Sequence, residues 1–117
     1  MKSPAASHRL FVYGTLADPA VCTGLLGRAP RPAPARLHGF VRREVRGEAY
    51  PAIVAEPGGL VPGSVYADIA REELAVLDGY EGDEYARIEV SVETDAGVAW
   101  AWVYVWIGGE ERLGPAA

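Results

Sequence analysis

Two short motifs in this 117-residue chain carry residue types that could do chemistry together. Val12-Tyr13-Gly14-Thr15-Leu16 closes an apolar run near the N-terminus, and Leu77-Asp78-Gly79-Tyr80-Glu81-Gly82 closes an apolar helical pattern well past the middle. Gly14 lets the backbone turn sharply or approach a ligand closely. A strand–turn–helix connection leaves backbone N–H groups without partners, and these suit a carboxylate or an oxyanion. An anion-holding loop and a poised carboxylate could together transfer a proton on a small acidic substrate without a metal or cofactor. An ordinary strand-to-helix turn would explain the loop equally well.

Leu74, Leu77 and Glu81 are spaced i, i+3, i+7. That spacing puts Glu81 on the face of the two leucines, provided the helix continues past Gly79. On that face the carboxyl would be partly buried, its pKa raised, and it could act as base and then as acid near neutral pH. The alternative is an acid at the end of a helix, paired with an arginine such as Arg87. Glu72, Glu73, Asp83, Glu84 and Glu89 read as solvated surface acids.

The elements that must position these motifs follow from patterning. Residues 1–8 read as a disordered leader, and Leu10 to Tyr13 as a buried strand. Asp18 as N-cap and Pro19 at the first helical position start a short helix that ends at Gly27. Arg36 to Val45 reads as a strand, with Leu37, Gly39, Val41 and Val45 on one side and His38, Arg42, Glu44 and Arg46 on the other. Ala52 to Ala55 is a short strand after Tyr50-Pro51. Pro57-Gly58-Gly59 is a turn, and Val61 to Ile69 is another strand. Arg71 to Asp78 is a helix with Glu72 and Glu73 at the positive end of its dipole. In Tyr85 to Glu93, Ile88, Val90 and Val92 face in. Asp95-Ala96-Gly97 turns the chain into Val98 to Ile107. There Trp100, Trp102, Tyr104 and Trp106 share one side and alanines and valines the other, as in a central strand covered on both faces. Residues 108–117 read as a flexible tail. Two helices against about six strands argue for a curved or closed mixed sheet with helices packed on it, an α+β fold.

Bulk properties narrow the function. The chain is 50% hydrophobic and 23% charged, ordinary for one globular domain. A net charge of −5 argues against nucleic acid as the main partner. The single cysteine, Cys22, fits a reducing, cytoplasmic setting and reads as a small buried hydrophobe. The N-terminal residues have no apolar stretch suited to a signal peptide. The longest apolar run falls far short of the ~20 residues that cross a bilayer as a helix. His8 and His38 complete no metal-ligand spacing. No serine sits in a nucleophile elbow. The tryptophan stripe reads as core or as a subunit contact, which makes a homodimer an expectation. Arg42, Arg43 and Arg46 form either a small anion-binding patch or a solvated strand face. Tyr50-Pro51 is either a pocket wall or a strand-ending turn.

Four segments, in order, resemble the γ-glutamylcyclotransferase-like superfamily in its avirulence-induced-gene-like branch. They are Phe11 to Leu16, Tyr50 to Val54, Val61 to Tyr66, and Leu77 to Gly82 followed by Tyr85 and Arg87. The resemblance implies a small mixed β-barrel flanked by two short helices, formed by residues 9–107. It implies substrate binding by Tyr13, Gly14, Thr15 and Leu16, a pocket wall of Tyr50, Pro51 and Tyr85, and Glu81 as the catalytic acid–base. The implied reaction is an acyltransferase-type intramolecular aminolysis. A γ-glutamyl amine, amino acid or related compound would cyclise to 5-oxoproline with no metal or cofactor. Tyr-Gly-Thr-Leu here replaces the Gly-Tyr-Gly-Ser-Leu of glutathione-specific relatives, which points away from glutathione. The competing expectation is a non-catalytic module that binds small carboxylates on the same fold.

Overall fold

The computed structural model describes residues 7–116. Six strands and two helices follow in the order β1 (His8–Val12), α1 (Pro19–Leu26), β2 (Pro32–Val45), β3 (Pro51–Ile69), α2 (Arg71–Glu81), β4 (Tyr85–Thr94), β5 (Gly97–Trp106) and β6 (Leu113–Ala116). The sheet order is β3-β1-β5-β4-β2-β6, and β2 also pairs with β3. That last pairing closes the first five strands into a barrel and leaves β6 as an extra strand on β2. β1 and β5 run parallel, and the other pairs are antiparallel. This is the mixed α+β barrel with two flanking helices expected above.

Each barrel strand sends apolar side chains to a shared interior, among them Phe11, Leu37, Ile53, Val61, Val65, Val92 and Val103. A second cluster lies between the barrel wall and the helices. Leu10 and Val12 of β1, Tyr66 and Ile69 of β3, and Tyr104 of β5 meet Leu16, Cys22 of α1, and Leu74 and Leu77 of α2. β1 is therefore buried on both faces, since successive strand residues point to opposite sides. That wedges the segment entering the Tyr13–Leu16 loop between interior and helices. Asp18 caps α1 as expected, its Oδ1 accepting from the Ala20 amide at 2.9 Å.

Several expectations need correction. The leader assigned to residues 1–8 lies largely outside the described residues, but His8 is already in β1, opposite Ile69. The expected tail, 108–117, instead contains a 3-10 turn (Glu110–Arg112) and β6. Leu113 is its anchor, buried with Val45, Ala52 and Trp106. Arg43 Nε also donates to the Gly114 carbonyl at 2.8 Å. One buried leucine among glycines and charges gives too little pattern to signal a strand.

The two strands read in 52–69 are one strand, β3. At Pro57-Gly58-Gly59 the chain does not reverse. Its register with β2 shifts from His38↔Leu60 to Phe40↔Ala55 instead. On β2 this irregularity falls at Gly39, whose φ of +86° suits glycine alone. It also flips the alternation: Phe40 packs on the barrel interior, and Val41 does not share the burial of Leu37. Ile88, expected inside, is partly exposed. β5 is central, between β1 and β4, but only its second half is covered on both faces. Val98 is 76% and Trp100 64% exposed. No helix among the described residues is long and apolar enough to cross a membrane.

Candidate active site

At the end of β1 the chain passes through Tyr13 and Gly14 into a single 3-10 turn, Thr15–Ala17. Three carbonyls hold this loop in place. Arg42 donates to the Tyr13 carbonyl at 2.8 Å, the Ala17 amide to that of Gly14 at 2.9 Å, and the Tyr66 hydroxyl to that of Leu16 at 2.7 Å. The Thr15 and Leu16 amides open the turn and donate to no backbone carbonyl among the described residues. Gly14 is needed for close approach rather than for an unusual φ. A Cβ there would lie 2.9 Å from Pro51 Cγ and 3.0 Å from its Cδ. The loop and the Tyr50-Pro51 segment, far apart in sequence, therefore abut.

α2 does not stop at Gly79. It continues to Glu81, and the Gly82 amide closes it on the Asp78 carbonyl at 3.1 Å. Leu74 and Leu77 are buried against β1, β3 and β5. One turn beyond Leu77, the same face delivers Glu81 to the mouth of the barrel. The Glu73 carboxylate stabilises the start of the helix by accepting from the Ala70 amide at 2.9 Å. Tyr85 supplies the opposite wall, its hydroxyl donating to the Pro51 carbonyl at 2.8 Å. Its ring meets Tyr50 and Trp106 edge-on, at centroid distances of 6.4 and 5.3 Å.

These segments enclose a cavity of about 260 Å³. Tyr13, Gly14, Thr15, Leu16, Tyr50, Pro51, Glu81 and Tyr85, the eight residues singled out from sequence, all line it. Phe11, Val12, Tyr80 and Tyr104 line it too. Tyr80 stands inside the motif that drew attention to Glu81, and its hydroxyl donates to Thr15 Oγ1 at 3.3 Å. Tyr104 reads from sequence as one more aromatic of the β5 stripe. Its position beside the cavity depends on the parallel pairing of β5 with β1, which no local pattern announces.

The family described as gamma-glutamyl cyclotransferase, AIG2-like, matches residues 10–116. The chain belongs to this family. Among curated relatives from Arabidopsis thaliana, Protein AIG2 C is 40% identical over 90 residues, covering 77% of this chain and 54% of that protein. AIG2-like protein C is 39% identical over 108 residues, covering 91% and 63%. The chain thus spans somewhat more than half the length of the curated relatives it matches. A solution structure from Arabidopsis thaliana superposes with a TM-score of 0.85 at 33% identity, covering 97% of this chain and 78% of that one. A structure described as gamma-glutamyl cyclotransferase shares the fold, with a TM-score of 0.77 at 24% identity, covering 95% and 72%.

In this member of the family, Glu81 is the one carboxyl bordering the cavity. Burial lifts its pKa from the usual carboxylate range to about 7. It makes no ion pair and accepts no side-chain hydrogen bond among the described residues. Arg87, its candidate partner from sequence, is bonded to Asp78 instead, at 2.7 Å from Nε to Oδ1 and 3.0 Å from Nη2 to Oδ2. Burial also raises the pKa values of Tyr13, Tyr85 and Tyr104, so these phenols stay protonated at neutral pH. Tyr13 donates to the Tyr104 carbonyl at 2.7 Å, and Tyr104 to Asp78 Oδ1 at 2.7 Å. The cavity is therefore walled by neutral donors around one carboxyl that titrates near neutrality. No group of three or more His, Cys, Asp or Glu among the described residues has the geometry of a metal site.

Proposed function

We propose that this protein is a γ-glutamyl cyclotransferase that releases 5-oxoproline from a γ-glutamyl amine, amino acid or related compound. The observation that carries the proposal is Glu81: buried, unpaired, and poised near pH 7 in a cavity sized for a small ligand. A carboxyl in that state can take a proton and give it back, as general acid–base catalysis requires. A pocket that merely bound a carboxylate would gain nothing from a second carboxyl inside it. Family membership supports the same class of reaction.

In the proposed reaction the α-ammonium of the glutamyl unit loses a proton to Glu81. The freed amine attacks the γ-carbonyl carbon, and a five-membered ring closes. The bond from that carbon to the leaving nitrogen breaks, and Glu81 returns its proton to that nitrogen. The products are 5-oxoproline and a free amine, and no other reactant is consumed. The Thr15 and Leu16 amides are assigned the substrate carboxylate or the developing oxyanion. Holding the flexible glutamyl chain in its cyclising shape supplies much of the acceleration. Proton transfer adds a further ~10²–10⁴-fold.

The test is to incubate the protein with a panel of γ-glutamyl amines, γ-glutamyl amino acids and γ-glutamyl peptides and assay 5-oxoproline. Release from at least one member is expected. A folded protein that releases none, yet binds the same compounds, would point instead to a binding module.

A further inference from the structure

The cavity has a charge just outside its wall that never enters it. Arg87 and Tyr104 are a cross-strand pair on β4 and β5, so their side chains share one face of the sheet. Tyr104 borders the cavity and Arg87 does not. The guanidinium lies over the Trp102 ring, 4.5 Å from its centroid. Asp78 grips it through the two hydrogen bonds described above and also accepts from the Tyr104 hydroxyl. Asp78 stands three residues before Glu81 on α2, on the adjoining helical turn.

We propose that Asp78 is a positioning residue that fixes the Arg87 guanidinium outside the cavity and so leaves Glu81 without a counter-ion. An arginine with five donors and no other acid to hold it would be drawn to the nearest carboxylate. That carboxylate would be Glu81, which would then be locked in its charged form and unable to return a proton. The other groups facing Glu81 do not supply such a charge. They are Tyr13 from β1, Tyr50 ahead of β3, Tyr80 of α2, Tyr85 of β4 and Tyr104 of β5. Arg42 is engaged with the Tyr13 carbonyl, and Arg112 with Glu84. Arg87 is thus the cation whose placement matters, and Asp78 sets it. Paired with Arg87, Asp78 is held below the usual carboxylate range and stays charged.

The use of this device rests on the reading of Glu81 as the proton carrier, but its test does not. The Glu81 carboxyl is titrated by ¹³C NMR in glutamate-labelled protein, with Glu81→Gln assigning the signal. Asp78→Asn removes an anion and frees the cation, so the Glu81 midpoint should fall by about one unit. Arg87→Gln removes the cation and leaves the anion, so the midpoint should rise. The double variant should return toward the wild-type value, and Arg87→Lys should stay close to it. Opposite shifts are the signature, because a merely structural role would loosen α2 in both single variants alike. Single variants that shift in the same direction, or not at all, would overturn the proposal. Should Asp78→Asn not fold, an Arg87→Gln midpoint no higher than that of Arg87→Lys would overturn it too. An inactive protein showing the opposite shifts would keep this inference and refute the proposed reaction.

Discussion

Glu81 sits where a carboxylate is costly. Its pKa in the folded protein, about 7, lies above its ordinary value of 4.5 because burial disfavours the charge. Folding therefore favours the protonated form. The stability linked to this group is intact below about pH 4.5 and is lost as pH rises through about 7. Glu81→Gln should accordingly be more stable than wild type at pH 8, by at most about 3 kcal/mol. The gap should close near pH 4.5. Urea unfolding at the two pH values measures it, and equal stabilities at pH 8 would show that the carboxyl is solvated. The leucine spacing made this residue legible in the sequence, although Gly79 obscured whether the helix reached it. The hydroxyl of Tyr104 was not legible. Its meaning depends on Asp78, contributed by another element, and periodicity shows only that the position is apolar.

At the scale of elements, the site is a junction of four pieces, and its tightest contact is Gly14 against Pro51. Gly14→Ala would force the Pro51 ring away, because its new Cβ would lie 2.9 Å from Cγ. The expected cost is about 1–3 kcal/mol, with weaker ligand binding, since Tyr50 and Tyr85 lean on the same segment. Chemical denaturation checks the first effect and ligand titration the second. A fully stable, fully binding alanine variant would mean that the junction is loose. The helix caps and the β4–β5 hairpin were legible because they rest on local turn and capping chemistry. The long β3 was not. Pro57-Gly58-Gly59 has the composition of a turn, and only the pairing partner β2 holds it in a strand. Gly39 misled in the same way, since a one-residue irregularity inverts the face of everything after it.

For the whole molecule, closure of the barrel by β2 and β3 is what brings residues 13–16, 50–51 and 81–85 to one mouth. β6 adds a strand to β2 beside that mouth, through a residue that sequence patterning left in a loose tail. Leu113→Ala should cost about 2–5 kcal/mol, as for a core leucine. A true tail would lose less than about 0.5 kcal/mol. The thermal unfolding midpoint separates these outcomes. The fold class was legible because the ratio of strands to helices and the alternation in β4 and β5 constrain it. The order of strands around the barrel was not, because it is set by contacts distant in sequence.

The most direct measurement compares 5-oxoproline release by wild type and Glu81→Gln on the same γ-glutamyl compound, with both proteins shown to be folded. The account predicts release by wild type and a loss of at least ~10²-fold in the variant, the share expected of an acid–base group. Release by the glutamine variant at the wild-type rate would contradict it, because the proton would then be carried by some other group.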